Sequence, residues 1–155
     1  MIISIVCCLI FIIKNKSKTE SYYDVRVVSE SREYFSISYA IQKLYIYRNR
    51  DKFENIYNIL DDEYINENGI TLENLSENFI EKNTNFIPQK IYAYDVDEYS
   101  KIYLVKGLSS KKIEENEKVE YKDNICYIVK ADMQNSTFSI SKDIQKYKKI
   151  FNKLL

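Results

Sequence analysis

The chain has 155 residues, 45% of them apolar and 14% aromatic, with two Gly, one Pro and 23 cations against 23 anions. That length suits one domain whose core needs no disulfide or metal, and the complete lack of histidine removes the commonest general base and metal ligand. Charge is uneven: Lys14, Lys16 and Lys18 give +3 near the start and the residues from Ser141 onward give +4, which leaves 19–140 at −7, an acidic body that disfavours nucleic acid as partner.

Met1 to Ile13 is an unbroken apolar run. As a helix it spans about 20 Å, short of the roughly 30 Å hydrocarbon core, unless Lys14 snorkels or the run begins upstream. A transmembrane anchor that meets membrane lipid through Met1–Ile13 is the expectation. A cleaved signal peptide lacks its basic n-region and small-residue cleavage site. A lipoprotein signal lacks the small residue wanted before Cys7 or Cys8, and a buried core helix is the remaining alternative. Lys14, Lys16 and Lys18 argue for a cytoplasmic flank by the positive-inside rule. Short N-terminal anchors in bacteria usually carry an outside domain, and on that ground the expectation is a single-pass protein of the cell membrane with an extracytoplasmic domain. The segments are 1–18 as anchor and basic flank, 19–29 as tether, 30–140 as the folded domain and 141–155 as a basic amphipathic tail.

Asp24 to Val28 alternates and reads as a short edge strand or an extended lead-in. Tyr34, Ile37, Ile41, Leu44 and Tyr45 follow three- and four-residue steps, one face of a helix over about 29–47 with Ser29 as cap. Phe53, Ile56, Tyr57, Leu60 and Tyr64 repeat the pattern, and Asp51 with Glu54 has capping-box spacing. A second helix is therefore expected from Asp51 to about Ile65, stopped near Gly69. Thr71 opens a third, shorter one through about Glu81.

From Gln89 the period falls to two. Tyr92, Tyr94 and Val96 share one face of a strand and Ile91 and Ala93 the other. Ile102–Val105 form the next strand, 109–118 an exposed charged loop, Val119–Tyr121 a resumption of the sheet, and Lys122-Asp123-Asn124 a turn. Ile125 to Met133 is the longest strand, Gln134-Asn135-Ser136 a tight turn, and Thr137–Ile140 pairs back. In the tail, Ile144, Tyr147, Phe151 and Leu154 have helical spacing behind a lysine-rich face. Such a helix lies on a membrane or closes one end of the sheet.

Tyr34-Phe35-Ser36-Ile37 through Tyr45, Phe53 through Ile65, and the hairpin Ile125–Ile140 together resemble the cystatin-like, nuclear transport factor two-like superfamily, over about residues 30–140. The segment ending in Leu60, Asp61-Asp62-Glu63 and Tyr64 resembles small membrane-tethered members from Gram-positive bacteria. The resemblance implies an α+β fold: after the membrane helix, a cone of three helices packed on a curved antiparallel sheet of about four strands. Members of ketosteroid isomerase-like or polyketide cyclase-like type are enzymes that use an acid or His inside the cone. Others, the periplasmic domains of type IV secretion and conjugation scaffolds, are non-catalytic and carry one N-terminal membrane helix. The anchor favours the second kind, an interaction or assembly domain with a protein partner or self-association.

Chemistry is sparse. Asp61-Asp62-Glu63 reads as a solvated helix end. Asp95-Asp97-Glu98 lacks a loop with cation-ligand spacing, and no metal or cofactor site is expected. Asp95 and Asp132 are the acids inside otherwise apolar strand patterns. Pointing into a cone, either is desolvated and becomes a candidate general base; on the wet face it does nothing of the kind. Cys126 is a small core residue, and the tyrosines are cone lining and interface.

Overall fold

The computed structural model describes residues 23–113 and 118–155, with backbone alone at 76–78. The expected anchor Met1–Ile13, its basic flank and the tether through Tyr22 lie outside the described residues. Among the described residues no helix is long and apolar enough to cross a membrane.

The fold is α+β, with five antiparallel strands in an open sheet ordered β1-β2-β3-β4-β5 as they follow in the chain. These are β1 (Val25–Val27), β2 (Thr84–Asp95), β3 (Ser100–Lys112), β4 (Val119–Asp132) and β5 (Thr137–Ser141). Four helices precede the main strands: α1 (Arg32–Asn49), α2 (Phe53–Tyr57), α3 (Asp62–Glu67) and α4 (Leu72–Asn78). A 3₁₀ turn (Gln145–Tyr147) and α5 (Lys148–Phe151) end the chain.

Strand alternation sorts the apolar side chains onto two faces. Ile91, Ala93, Tyr103, Val105, Tyr127 and Val129 pack with Ile37, Ile41, Leu44 and Ile56 of the helices. Their neighbours in sequence, Leu104 and Ile128, pack with Tyr147 and Phe151 of the tail, flanked by Tyr92, Tyr94 and Cys126. The tail therefore covers the second face of the sheet. Lys146 adds ion pairs to Glu63 and Glu67 of α3, and Lys106 donates to the Leu154 carbonyl at 2.8 Å.

Three local expectations change. α1 starts at Arg32, because Ser31 rather than Ser29 accepts from the Tyr34 amide. The expected helix 51–65 is two short ones. Asp51 has a left-handed backbone (φ 54°) and pairs with Lys82 instead of capping. Ile59 and Asp61 leave the helix to bond β5, the Ile140 amide donating to the Ile59 carbonyl and the Asp61 amide to the Ile140 carbonyl, both at 2.9 Å. Asp61 then caps α3 through the Tyr64 amide. Tertiary hydrogen bonds to a strand eighty residues on thus outweigh local helix propensity. Thr71 caps α4 as expected, in a box closed by Asn74.

The third change is in the strands, which run longer than their periodicity suggests. β2 begins at Thr84, β3 continues to Lys112, and the expected turn at Lys122-Asp123-Asn124 is a bulge inside β4, with Asn124 left-handed (φ 57°). β2 slips register at Pro88/Lys90 and β3 against β4 at Gly107/Ser109. Gly107 sits between them because a Cβ there would come 2.4 Å from the Ile87 carbonyl oxygen and 2.5 Å from the Phe86 ring. The extra residues lie in β2 and β4, on either side of Gly107 of β3, and bulges bend the strand that carries them.

Candidate functional site

Between helices and sheet three buried rings meet. Phe86 stacks on Tyr45 with centroids 5.6 Å apart and meets Tyr127 edge-on at 5.6 Å. The hydroxyls of Tyr45 and Tyr127 share a 2.9 Å hydrogen bond. Burial pushes both phenols above their ordinary range. An edge-to-face cluster of this kind packs tightly and satisfies its own polar atoms.

Neither predicted acid reaches that interior. Asp95 is exposed at the end of β2, 3.3 Å from Lys101 Nζ and 3.6 Å from Arg26 Nε. Arg26 also clamps Glu33 with two bonds of 2.6 and 3.1 Å, and the Tyr103 hydroxyl donates to the same carboxylate at 2.8 Å. The Arg26 bond, aided by Tyr103, holds Glu33 below the usual carboxylate range in spite of burial. This network ties the edge strand β1 to the first turn of α1. Asp132 accepts from the amides of Asn135 and Gln134 and from the Asn135 side chain, at 2.7–3.0 Å. Those bonds, Asn135 first, lower its pKa, and they brace the β4–β5 turn. Asp97 does the same for the β2–β3 turn through the amides of Tyr99 and Ser100. Asp95 is in phase with Ile91 and Ala93, and Asp132 out of phase with Tyr127 and Val129, so the strands send the two acids to opposite faces.

Asp61-Asp62-Glu63 is not a uniform solvated end. Asp61 is only 7% exposed; it takes an ion pair from Lys130 at 2.9 Å and a hydrogen bond from Ser139 at 3.1 Å. Burial pushes its carboxyl up, but the Lys130 and Tyr64 bonds more than offset this and the net pKa is lowered. Burial by itself lowers the pKa of its partner Lys130, but the bonds to Asp61 and Tyr147 together with their charge attraction more than offset this and the net pKa is raised.

Two concavities flank the seam. One, about 500 Å³, is a groove at the turn end of the sheet, lined by Leu60, Asp61, Val96, Ile102, Lys130 and Phe138 among others. Beside it, two turns and the start of β5 present Val96, Tyr99, Met133 and Phe138, each between 36 and 49% exposed. The Met133 amide donates to the Tyr99 carbonyl at 2.8 Å, so the two turns move as one surface. Asp97, Glu98 and Asp132 give it an acidic border.

The other, about 330 Å³, lies at the bulged end, between α4, β4 and the residues after β5. Lys142 enters it, donating to the Phe79 carbonyl. Its Nζ lies 4.2 Å from the Phe79 ring centroid and 6.0 Å from that of Tyr127. Burial, and then the charge of Lys122, bring its pKa down to about 8. Cys126 also lines this cleft as a free thiol, raised by burial. Sequence reasoning missed Lys142, because one lysine among five in a basic tail carries no signal of enclosure. Among the described residues no group of three His, Cys, Asp or Glu side chains is placed to hold a metal ion.

No family model, curated protein or solved structure matches the chain.

Proposed function

We propose that the chain is a membrane-anchored, non-catalytic interaction domain that docks a protein partner through the turn end of its sheet. In this reading Met1–Ile13 seats in lipid and the domain stands outside the cytoplasm. The fold is of the cystatin-like, nuclear transport factor two-like kind, with α1–α4 against a sheet bent at the bulges of β2 and β4.

The observation that carries the reading is the apolar surface of Val96, Tyr99, Met133 and Phe138 on two coupled turns and the start of β5. Clustered exposed apolar side chains with a polar border are the usual anatomy of a contact surface. The border is acidic, so two copies meeting face to face repel, and a partner with a basic rim fits better. An enzymatic cone requires a desolvated acid, whereas Asp95 and Asp132 are held in surface ion pairs and turn hydrogen bonds.

The test is photo-crosslinking in intact cells, with the probe at position 99 and a control probe at the exposed Tyr121 on the far stretch of β4. A discrete heteromeric adduct from position 99, absent from 121 and lost on Phe138→Ser, is expected. An adduct of twice the chain's own mass would replace the partner with self-association, and equal labelling from both positions would end the proposal. Protease accessibility of intact cells decides the orientation: a domain degraded only after lysis is cytoplasmic.

A further inference from the structure

The cleft that holds Lys142 is cationic without a counter-ion. The partly buried Lys101 and Lys130 each meet a carboxylate, and Lys106 donates to the Leu154 carbonyl on the tail face. Lys142 meets a carbonyl oxygen and two ring faces, and Lys122, which also lines the cleft, repels it. The one acid at the rim, Glu81, is taken by Lys111. Two like charges converging on a partly desolvated space are unfavourable unless an anion joins them.

The walls are suited to one. Phe79, Ile80, Ile125 and Ile144 are apolar, and Thr84, Ser109 and Asn124 add a few polar groups. A concave, largely apolar site with a small number of placed polar groups is the usual form of a small-molecule site. With one ammonium at depth and the other exposed at the rim, a monoanion is the least costly anion to desolvate here.

We infer that the cleft binds a small organic monocarboxylate, its acid group between Lys142 and Lys122 and its apolar body against Phe79, Ile80 and Ile125. The site is at the opposite end of β4 from the proposed docking surface, so either can fail without the other.

The full chain in lipid nanodiscs, with isoleucine methyl groups labelled, reports binding directly by nuclear magnetic resonance. Benzoate is the probe, benzyl alcohol its neutral control and benzylamine its cationic one. Benzoate is expected to shift the methyls of Ile80 and Ile125 saturably and leave the core methyl of Ile41 in place, while the two controls leave all three. Lys142→Met, which keeps the chain's bulk without its charge, weakens binding by about tenfold or more. Lys122→Gln, an exposed change that leaves the fold intact, weakens it by about three- to fivefold. The inference is overturned by no saturable shift with benzoate, by benzyl alcohol acting as benzoate does, or by Lys122→Gln binding benzoate as tightly as the unaltered chain.

Discussion

At one end of β4, Lys130 lies beside Tyr147 and finds Asp61, Ser139 completing the carboxylate's bonds. At the other end Lys142 finds a carbonyl and two aromatic faces. The first lysine closes a joint: Asp61 caps α3, bonds β5 through its backbone and pairs with β4. The second leaves its end open. A buried charge with a full set of partners holds a fold together, and one without them has been kept for some other reason.

Removing the acid is the strongest way to break that contrast. Asp61→Ala removes the nearer of the two carboxylates on Lys130, leaving Glu63 at 3.4 Å, and takes away a helix cap, for an expected loss of about 2–3 kcal/mol in urea unfolding at neutral pH. The acid limb should change with it. Asp61 has a folded pKa below its unfolded value, so its contribution is complete above the unfolded carboxylate range, about 4, and is lost as pH falls through the folded value. The variant should lack that part of the acid decline. A loss below about 1 kcal/mol would make the pair no better than an exposed one.

Gly107→Ala tests whether the open end depends on the bulged level of the sheet. The added methyl meets the backbone oxygen of Ile87 as well as the Phe86 ring, and backbone cannot swing aside as a side-chain tip can. About 1–3 kcal/mol of destabilisation is expected, with Tyr45 and Tyr127 disturbed through Phe86. Their near-ultraviolet circular dichroism should change while the far-ultraviolet signal holds.

Lys142→Met should act in the opposite direction from Asp61→Ala. With a folded pKa of about 8 against an ordinary 10.5, the unfolded chain binds one more proton than the folded chain between those values. Stability therefore rises with pH across that window. The variant should be flat there and more stable than the parent at pH 7, by about 1–2 kcal/mol once water's access to the cleft is allowed for. A variant equal to the parent at pH 7 and at pH 10 would place Lys142 in bulk-like water and close the contrast.

The sequence carried the parts of this arrangement that are periodic. Ile91 and Ala93 against Tyr92 and Tyr94, and Tyr127 and Val129 against Ile128, were legible as two faces because strand alternation needs no knowledge of the partner. The break after Tyr57 was not, since its cause is a pair of backbone bonds to Ile140. Strand residues 109–112 were hidden by charge, which reads as loop, Val119–Tyr121 was legible as sheet, and Asn124 marked a bulge where a turn was expected. For the sites, Asp95 and Asp132 stood out as acids among apolar neighbours, yet the distinguishing property was position at a strand end. Asp61 and Lys142 were invisible: one sits in an acidic run and the other in a lysine-rich tail, and only the three-dimensional packing decides which member is enclosed.

The smallest expected effect on the fold belongs to Tyr99→Ser. The side chain is 48% exposed on a turn whose hydrogen bonds come from backbone atoms of residues 99, 100 and 133 and from the Asp97 carboxylate. None of these needs the ring. Stability should stay within about 0.5 kcal/mol of the parent, against several times that at Asp61 a short distance away. Yet apolar surface removed from a docking face costs binding in proportion to what the partner had covered. Tyr99→Ser should therefore abolish the heteromeric adduct from a probe placed at Phe138 while the urea midpoint stays put. If the midpoint falls with the adduct, Tyr99 belongs to the joint around Asp61, and the turn end of the sheet is structure throughout.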